Sequence, residues 1–191
     1  GFFNRGNLFK CSFLEIIMDV EHIPHDSLVD KDQRVVVPDE NRKRELYDKA
    51  IKEIKEKVIG VDSVVPRMAT VSAVLNETMP HYFWCGFYFA EEDEMIIGPY
   101  QGNSACPNIS YAGVCGASAK KKETVIVPNV HDFPGHITCD ERSNSEIVVP
   151  LLDSEGRRIA VFDVDSSEMN AFDDLDREFL ENLMPVLLEK E

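Results

Sequence analysis

The chain is short of positive charge: 20 lysines and arginines stand against 35 aspartates and glutamates, for a formal net charge of −15. Such a field repels phosphate backbones and anionic headgroups, which speaks against nucleic acid and membrane surfaces as partners. Long hydrophobic runs are missing as well. A membrane-spanning helix needs roughly 20 apolar residues, whereas the best stretch, Ser12 to Val20 ("SFLEIIMDV"), is broken by Glu15 and Asp19. With no small-residue cleavage site after it, that stretch is a poor secretory leader, and a cytoplasmic protein is expected. Paired cysteines are also absent. The five, at 11, 85, 106, 115 and 139, are odd in number and form no C-x-x-C. A disulfide scaffold, a thioredoxin-type pair and the usual zinc spacings are set aside together, including a metal centre built from Cys106, Cys115 and Cys139 with His131 or His136.

What is present is ordinary globular material: of 191 residues, 43% are hydrophobic and 29% charged. Residues 1–38 are polar, proline-punctuated and without sustained periodicity, and read as an N-terminal extension, partly ordered or tag-derived. Residues 39–191 read as one domain. Its helical pattern starts near Pro38, where Leu46, Tyr47, Ala50, Ile51, Ile54 and Val58 recur at helical spacing before Gly60. Asp62 or Ser63 caps a second helix that ends at Pro80. The period then changes to that of strands, in "HYFWCGFYFA" (His81 to Ala90) and "EMIIGPY" (Glu94 to Tyr100), a hairpin. "SEIVVPLLD" (Ser145 to Asp153) and "RRIAVFDVDS" (Arg157 to Ser166) form another around "SEG". A short helix over Gly113 to Lys122 and a strand over Thr124 to Val130 lie between the hairpins. A final helix carries Phe172, Leu175, Phe179, Leu180, Leu183 and Leu187 behind Asp173 and Asp174. This order predicts an α+β domain, a central antiparallel sheet with helices packed on one side.

Cys85 shares a strand face with Phe83, Phe87 and Phe89 and belongs in a core. Three other cysteines do not. Cys106 sits in the small polar loop "QGNSACPNIS". Cys115, in "AGVCGASAKKK", stands at the start of a helix, where free amides favour a thiolate. Cys139 is set among charges in "GHITCDERSNSE". Brought together, one thiol could attack a substrate and another resolve the product as a disulfide. Asp163 and Asp165, two apart on one strand, share a face and suit an ammonium group. Glu146, which opens the neighbouring strand, can point the same way and act as an acid. Trp84 and Tyr88, four apart, lie opposite the Cys85 stripe and could cradle a thiomethyl group. His131 and His136 are expected to fix their loop by hydrogen bonds, with His136 able to tune Cys139.

"WCGFYF", "GPYQGNSACPNI", "GVCG", "VPNVHDFPGHITCDERSNSEIVVPLLD" and "VFDVDSSEMNAFDDLDREFLE" together resemble the free methionine-(R)-sulfoxide reductases, single-domain proteins of the GAF fold. The similarity runs from about Trp84 to Leu183. It implies that Cys139 attacks the sulfoxide sulfur of free methionine-R-sulfoxide and becomes a sulfenic acid. Cys106 or Cys115, with Cys106 preferred, then closes a disulfide that thioredoxin reduces. By the same resemblance Trp84 and Tyr88 hold the methyl end, while Glu146, Asp163 and Asp165 bind and protonate the substrate. It implies no cofactor, and members of this fold often pair as homodimers. The competing expectation is a GAF sensor that binds a small molecule without turnover.

Overall fold

The structure, a computed structural model, describes residues 36–137 and 139–189. Cys11 and residues 1–35 of the N-terminal extension lie outside the described residues.

Helix α1 (Glu40–Val58) begins where Asp39 accepts the Arg42 amide at 2.9 Å, and its apolar stripe is buried. Helix α2 (Val64–Thr78) follows with Ser63 at its N-cap. Strands β1 (Trp84–Ala90) and β2 (Met95–Gln101) form the first hairpin, and β3 (Asn108–Ile109) extends it by two residues that the sequence pattern did not announce. Helix α3 (Val114–Lys121) and β4 (Val125–Val127) come next, each shorter than its pattern. Strands β5 (Ser145–Leu152) and β6 (Arg158–Ser166) form the second hairpin. Helix α4 (Asp174–Leu183) opens with a capping box between Asp173 and Asp176. It passes into a 3-10 turn over Met184–Leu187, because Pro185 cannot continue the α-helical ladder.

The six strands run β3-β2-β1-β6-β5-β4, and every described pairing is antiparallel. The expected α+β architecture is therefore found, with the two hairpins zipped side by side through β1 and β6. Alternation along the strands assigns two faces. One face buries Cys85, Phe87, Ile147, Val149, Phe162 and Val164 under α1, α2 and α4. The other carries Trp84, Tyr88, Val148 and Val161, with α3 packed on it. The expectation of helices on one side thus holds for three helices, while α3 lies across the sheet from them. That second face is thinly covered, and it holds the site.

Candidate active site

Register places the site's side chains in rows across three strands. Trp84 on β1 lies opposite Asp165 on β6, which lies opposite Glu146 on β5. One row along, Gly86 faces Asp163, and Asp163 faces Val148. Since residues two apart share a face, Asp163, Asp165 and Glu146 converge on the α3 side. Gly86 stands between Trp84 and Tyr88 because a Cβ there would meet the Trp84 ring at 2.9 Å. The Trp84 ring can therefore stack on Tyr88 and Tyr100, with centroids at 6.0 and 5.5 Å.

Loops close the space above. Tyr88 Oη donates to the Cys106 carbonyl at 3.0 Å, and Trp84 Nε1 donates to that of Asn103 at 3.1 Å, so the aromatic wall also anchors the Cys106 loop. From the other side comes the Cys139 loop. Cys106 and Cys139, 33 residues apart in sequence, are joined as a disulfide with Cα atoms 5.7 Å apart. Between these walls lies a cleft of about 610 Å³, mouth included, lined among others by Trp84, Tyr88, Cys115, Cys139, Glu146, Asp163 and Asp165. Seven of the eight residues singled out by sequence thus line one cavity, and the eighth, Cys106, is bonded to a lining residue.

Residues 68–187 match the sequence model of the GAF domain. The chain belongs to the GAF domain family. It is 40% identical to "GAF domain-containing protein A" of Dictyostelium discoideum over 76% of this chain and 92% of that protein. With the "Free methionine-R-sulfoxide reductase" of Escherichia coli it shares 37% identity over 76% and 88% of the two chains. Among solved structures, the free methionine-R-sulfoxide reductase of Neisseria meningitidis in complex with its substrate superposes with a TM-score of 0.72. That protein is 40% identical and is covered to 88%, over 76% of this chain.

The GAF-domain cavity concentrates unusual electrostatics. Burial lifts the Glu146 carboxyl well above the usual carboxylate range, and the charges of Asp163 and Asp165 lift it further. Burial, then Asp163, does the same to Asp165, against a hydrogen bond from the Ser143 hydroxyl. Asp163 is pushed up to about 6 by burial, with hydrogen bonding to Cys115 and Glu146 working the other way. Asp163 is therefore the first of the three to ionise, and Glu146 and Asp165 hold their protons more tightly.

Cys115 departs from its sequence expectation. It does stand in the first turn of α3, but its thiol is buried and faces Glu146 Oε1 at 3.9 Å. Burial and the neighbouring carboxyls push its pKa up, outweighing the helix amides. It remains a free thiol, like Cys85, which packs in the core as expected. Gly116 lets the segment that leads into α3 fold back against the helix, since a Cβ there would collide with the Tyr111 backbone.

His131 fixes its loop as expected, with Nε2 3.1 Å from the Asn144 side-chain oxygen. His136 is turned toward the acids, its Nδ1 3.9 Å from Glu146 Oε2. Two participants escaped the sequence reading. Ser143, which holds Asp165, had the weak signal of being a serine just ahead of a strand. Tyr100, which backs Trp84, needs the strand register to be placed at all. Cys115 Sγ, Glu146 and Asp163 are also close enough to share a cation.

Proposed function

We propose that this GAF domain is an oxidoreductase that reduces free methionine-R-sulfoxide to methionine. The observation that carries the reading is the joining of Cys139 to Cys106 at the mouth of a cavity that holds an aromatic wall and three carboxyls, two of which, Glu146 and Asp165, hold their protons more tightly than Asp163. The similarity to proteins named for this activity supports it. Trp84 and Tyr88 take the thiomethyl end. Asp163, the first acid to ionise, holds the ammonium together with Asp165.

In its reduced form Cys139 attacks the sulfoxide sulfur. Glu146 delivers its proton to the oxygen, which leaves with the Cys139 sulfur as a sulfenic acid while methionine departs. The thiol proton of Cys139 reloads Glu146, so the step is neutral overall. Cys106 then attacks the sulfenic sulfur and water leaves, closing the Cys106–Cys139 disulfide. Cys115 is the poorer resolving thiol, because burial beside carboxyls disfavours its thiolate. A dithiol of the thioredoxin class reopens the disulfide. The protein works in a reducing compartment, the cytoplasm, with residues 39–191 as the catalytic domain, alone or as a homodimer. No described helix is long and apolar enough to cross a membrane.

The test offers separated R and S diastereomers of free methionine sulfoxide with a thioredoxin system. Consumption of R alone, abolished in Cys139→Ser, is expected. Tight binding without turnover would sink the reading and leave a small-molecule sensor.

A further inference from the structure

One group of three metal-ligating side chains converges among the described residues: Cys115 Sγ and one carboxylate oxygen each from Glu146 and Asp163, all buried and all within 4.8 Å of one another. Each comes from a different element, α3, β5 and β6, so the fold and not a local turn gathers them. Asp163 is 7% exposed, and its Oδ1 is buried without a hydrogen-bond partner. Buried polar atoms are rarely left so. The cavity lining includes Asp140 and Asp165 besides these acids, and no lysine or arginine; His136, whose Nδ1 is 3.9 Å from Glu146 Oε2, also lines it, but burial lowers its pKa and disfavours the charged ring. A cation is the missing complement.

The donor set says which kind. An ammonium group is satisfied by carboxylates alone, and magnesium and calcium ask for oxygen ligands. A thiolate with two carboxylates instead suits a borderline ion such as zinc. Zinc bonds of about 2.0–2.3 Å in a tetrahedron set donors about 3.5 Å apart. The three groups would draw together by about 1 Å, within the reach of side-chain rotation, and the fourth position opens on the cavity. A bound ion would also remove the conflict at Cys115, where helix amides favour a thiolate and the neighbouring acids oppose it.

We propose that Cys115, Glu146 and Asp163 form a three-ligand site for one zinc-class divalent cation, and that its occupation excludes free methionine-R-sulfoxide from the cavity. The second half rests on the function proposed above. Binding displaces the thiol proton and any proton on the two carboxyls to solvent. The acids can then neither protonate an oxygen nor hold an ammonium. Neither Cys106 nor Cys139 is a ligand, so the disulfide form binds as well.

The experiment uses the full chain carrying Cys11→Ser, oxidised so that Cys106 and Cys139 are bonded. Cobalt(II) is the probe, because its sulfur-to-metal charge-transfer band reports a thiolate ligand. Only Cys115 and the core residue Cys85 then remain as thiols, and Cys85 lies on the other face of the sheet. We expect the band at one cobalt per chain, bleached by one equivalent of zinc. Cys115→Ser should abolish it, and Asp163→Asn should weaken binding at least about 10-fold. No band in the parent, or the same band in Cys115→Ser, overturns the site, and the parent result does not depend on how the variants fold. Saturating free methionine or its R-sulfoxide should suppress the band; a band unchanged by a compound that calorimetry shows to bind overturns the exclusion. If neither compound binds the metal-free protein, the proposed function fails and the band alone decides the site.

Discussion

Cys139, Cys106 and Glu146 separate by what their loss leaves intact. Cys139→Ser removes the sulfur proposed to attack and should lower reduction of free methionine-R-sulfoxide by on the order of 10³-fold or more. Cys106→Ser should keep the first turnover, releasing one methionine per chain and leaving a sulfenic acid trappable by dimedone, but should lose recycling by thioredoxin. Glu146→Gln keeps the shape and cannot give up a proton, a loss of roughly 10²–10⁴-fold in the single-turnover rate. If its rate matches the parent's from acid to alkaline pH, Glu146 is not the acid. At this scale the sequence was most legible where a residue contradicted its surroundings, as Cys139 did among charges. It misled at Cys115, whose local setting at a helix start favours a thiolate while acids from β5 and β6 do not. Those acids are 31 and 48 residues away, and only the register brings them in.

Among the elements, helix α1 shows a side chain that pattern reading passes over. Lys43 falls on the same stripe as Leu46, Tyr47 and Ala50, and it is buried with them. Its Nζ donates to the Ala171 carbonyl and to Asp173 Oδ2, each at 2.9 Å, and to the Asp176 carboxylate. Asp176 accepts from Tyr47 Oη at 2.7 Å, and Tyr47 Oη lies 2.6 Å from that of Tyr82. This network ties α1 to the N-terminus of α4 and to the approach to β1. Lys43→Met keeps the aliphatic bulk but strips Asp176 of its buried cation, which should cost about 3–5 kcal/mol in denaturant unfolding. Lys43→Met with Asp176→Asn should cost less than Lys43→Met alone, since no buried charge is then stranded. Helices, hairpins and their order were legible because period and turn residues are local properties. The two-residue β3 and the placement of α3 on the far face were not, being decided by which edges and faces remain open after the hairpins pair.

In the whole molecule, the two faces of the sheet should set opposite limbs of the stability profile against pH. His81, on the helix side, is fully buried with neither ring nitrogen hydrogen-bonded, although Nε2 lies 4.0 Å from Asp176 Oδ1, and burial followed by the charge of Lys43 lowers its pKa to about 3. A depressed value means that the unfolded chain takes up the proton first, so stability is full above about 6.5 and falls as the pH drops toward 3. The loss is on the order of 4 kcal/mol, and His81→Phe, set among Tyr82 and Phe172, should flatten that acid limb. Asp163, on the cavity side, runs the other way: its pKa is raised from 3.8 to about 6. Here the folded chain holds the proton more tightly, so stability is full below about 3.8 and is lost as the pH rises through 6, by about 3 kcal/mol. Asp163→Asn removes that loss. Against the parent it should gain up to about 3 kcal/mol at pH 8 and almost nothing at pH 4, while binding free methionine-R-sulfoxide more weakly because the anion facing the ammonium is gone. Urea melts at pH 4, 6 and 8 decide it, since a gain that does not grow with pH would mean that Asp163 is not the group that ionises first. A gain that does grow with pH marks the cavity as a place where stability is given up for a buried anion, and the unequal pH response of the two variants is how that trade becomes measurable.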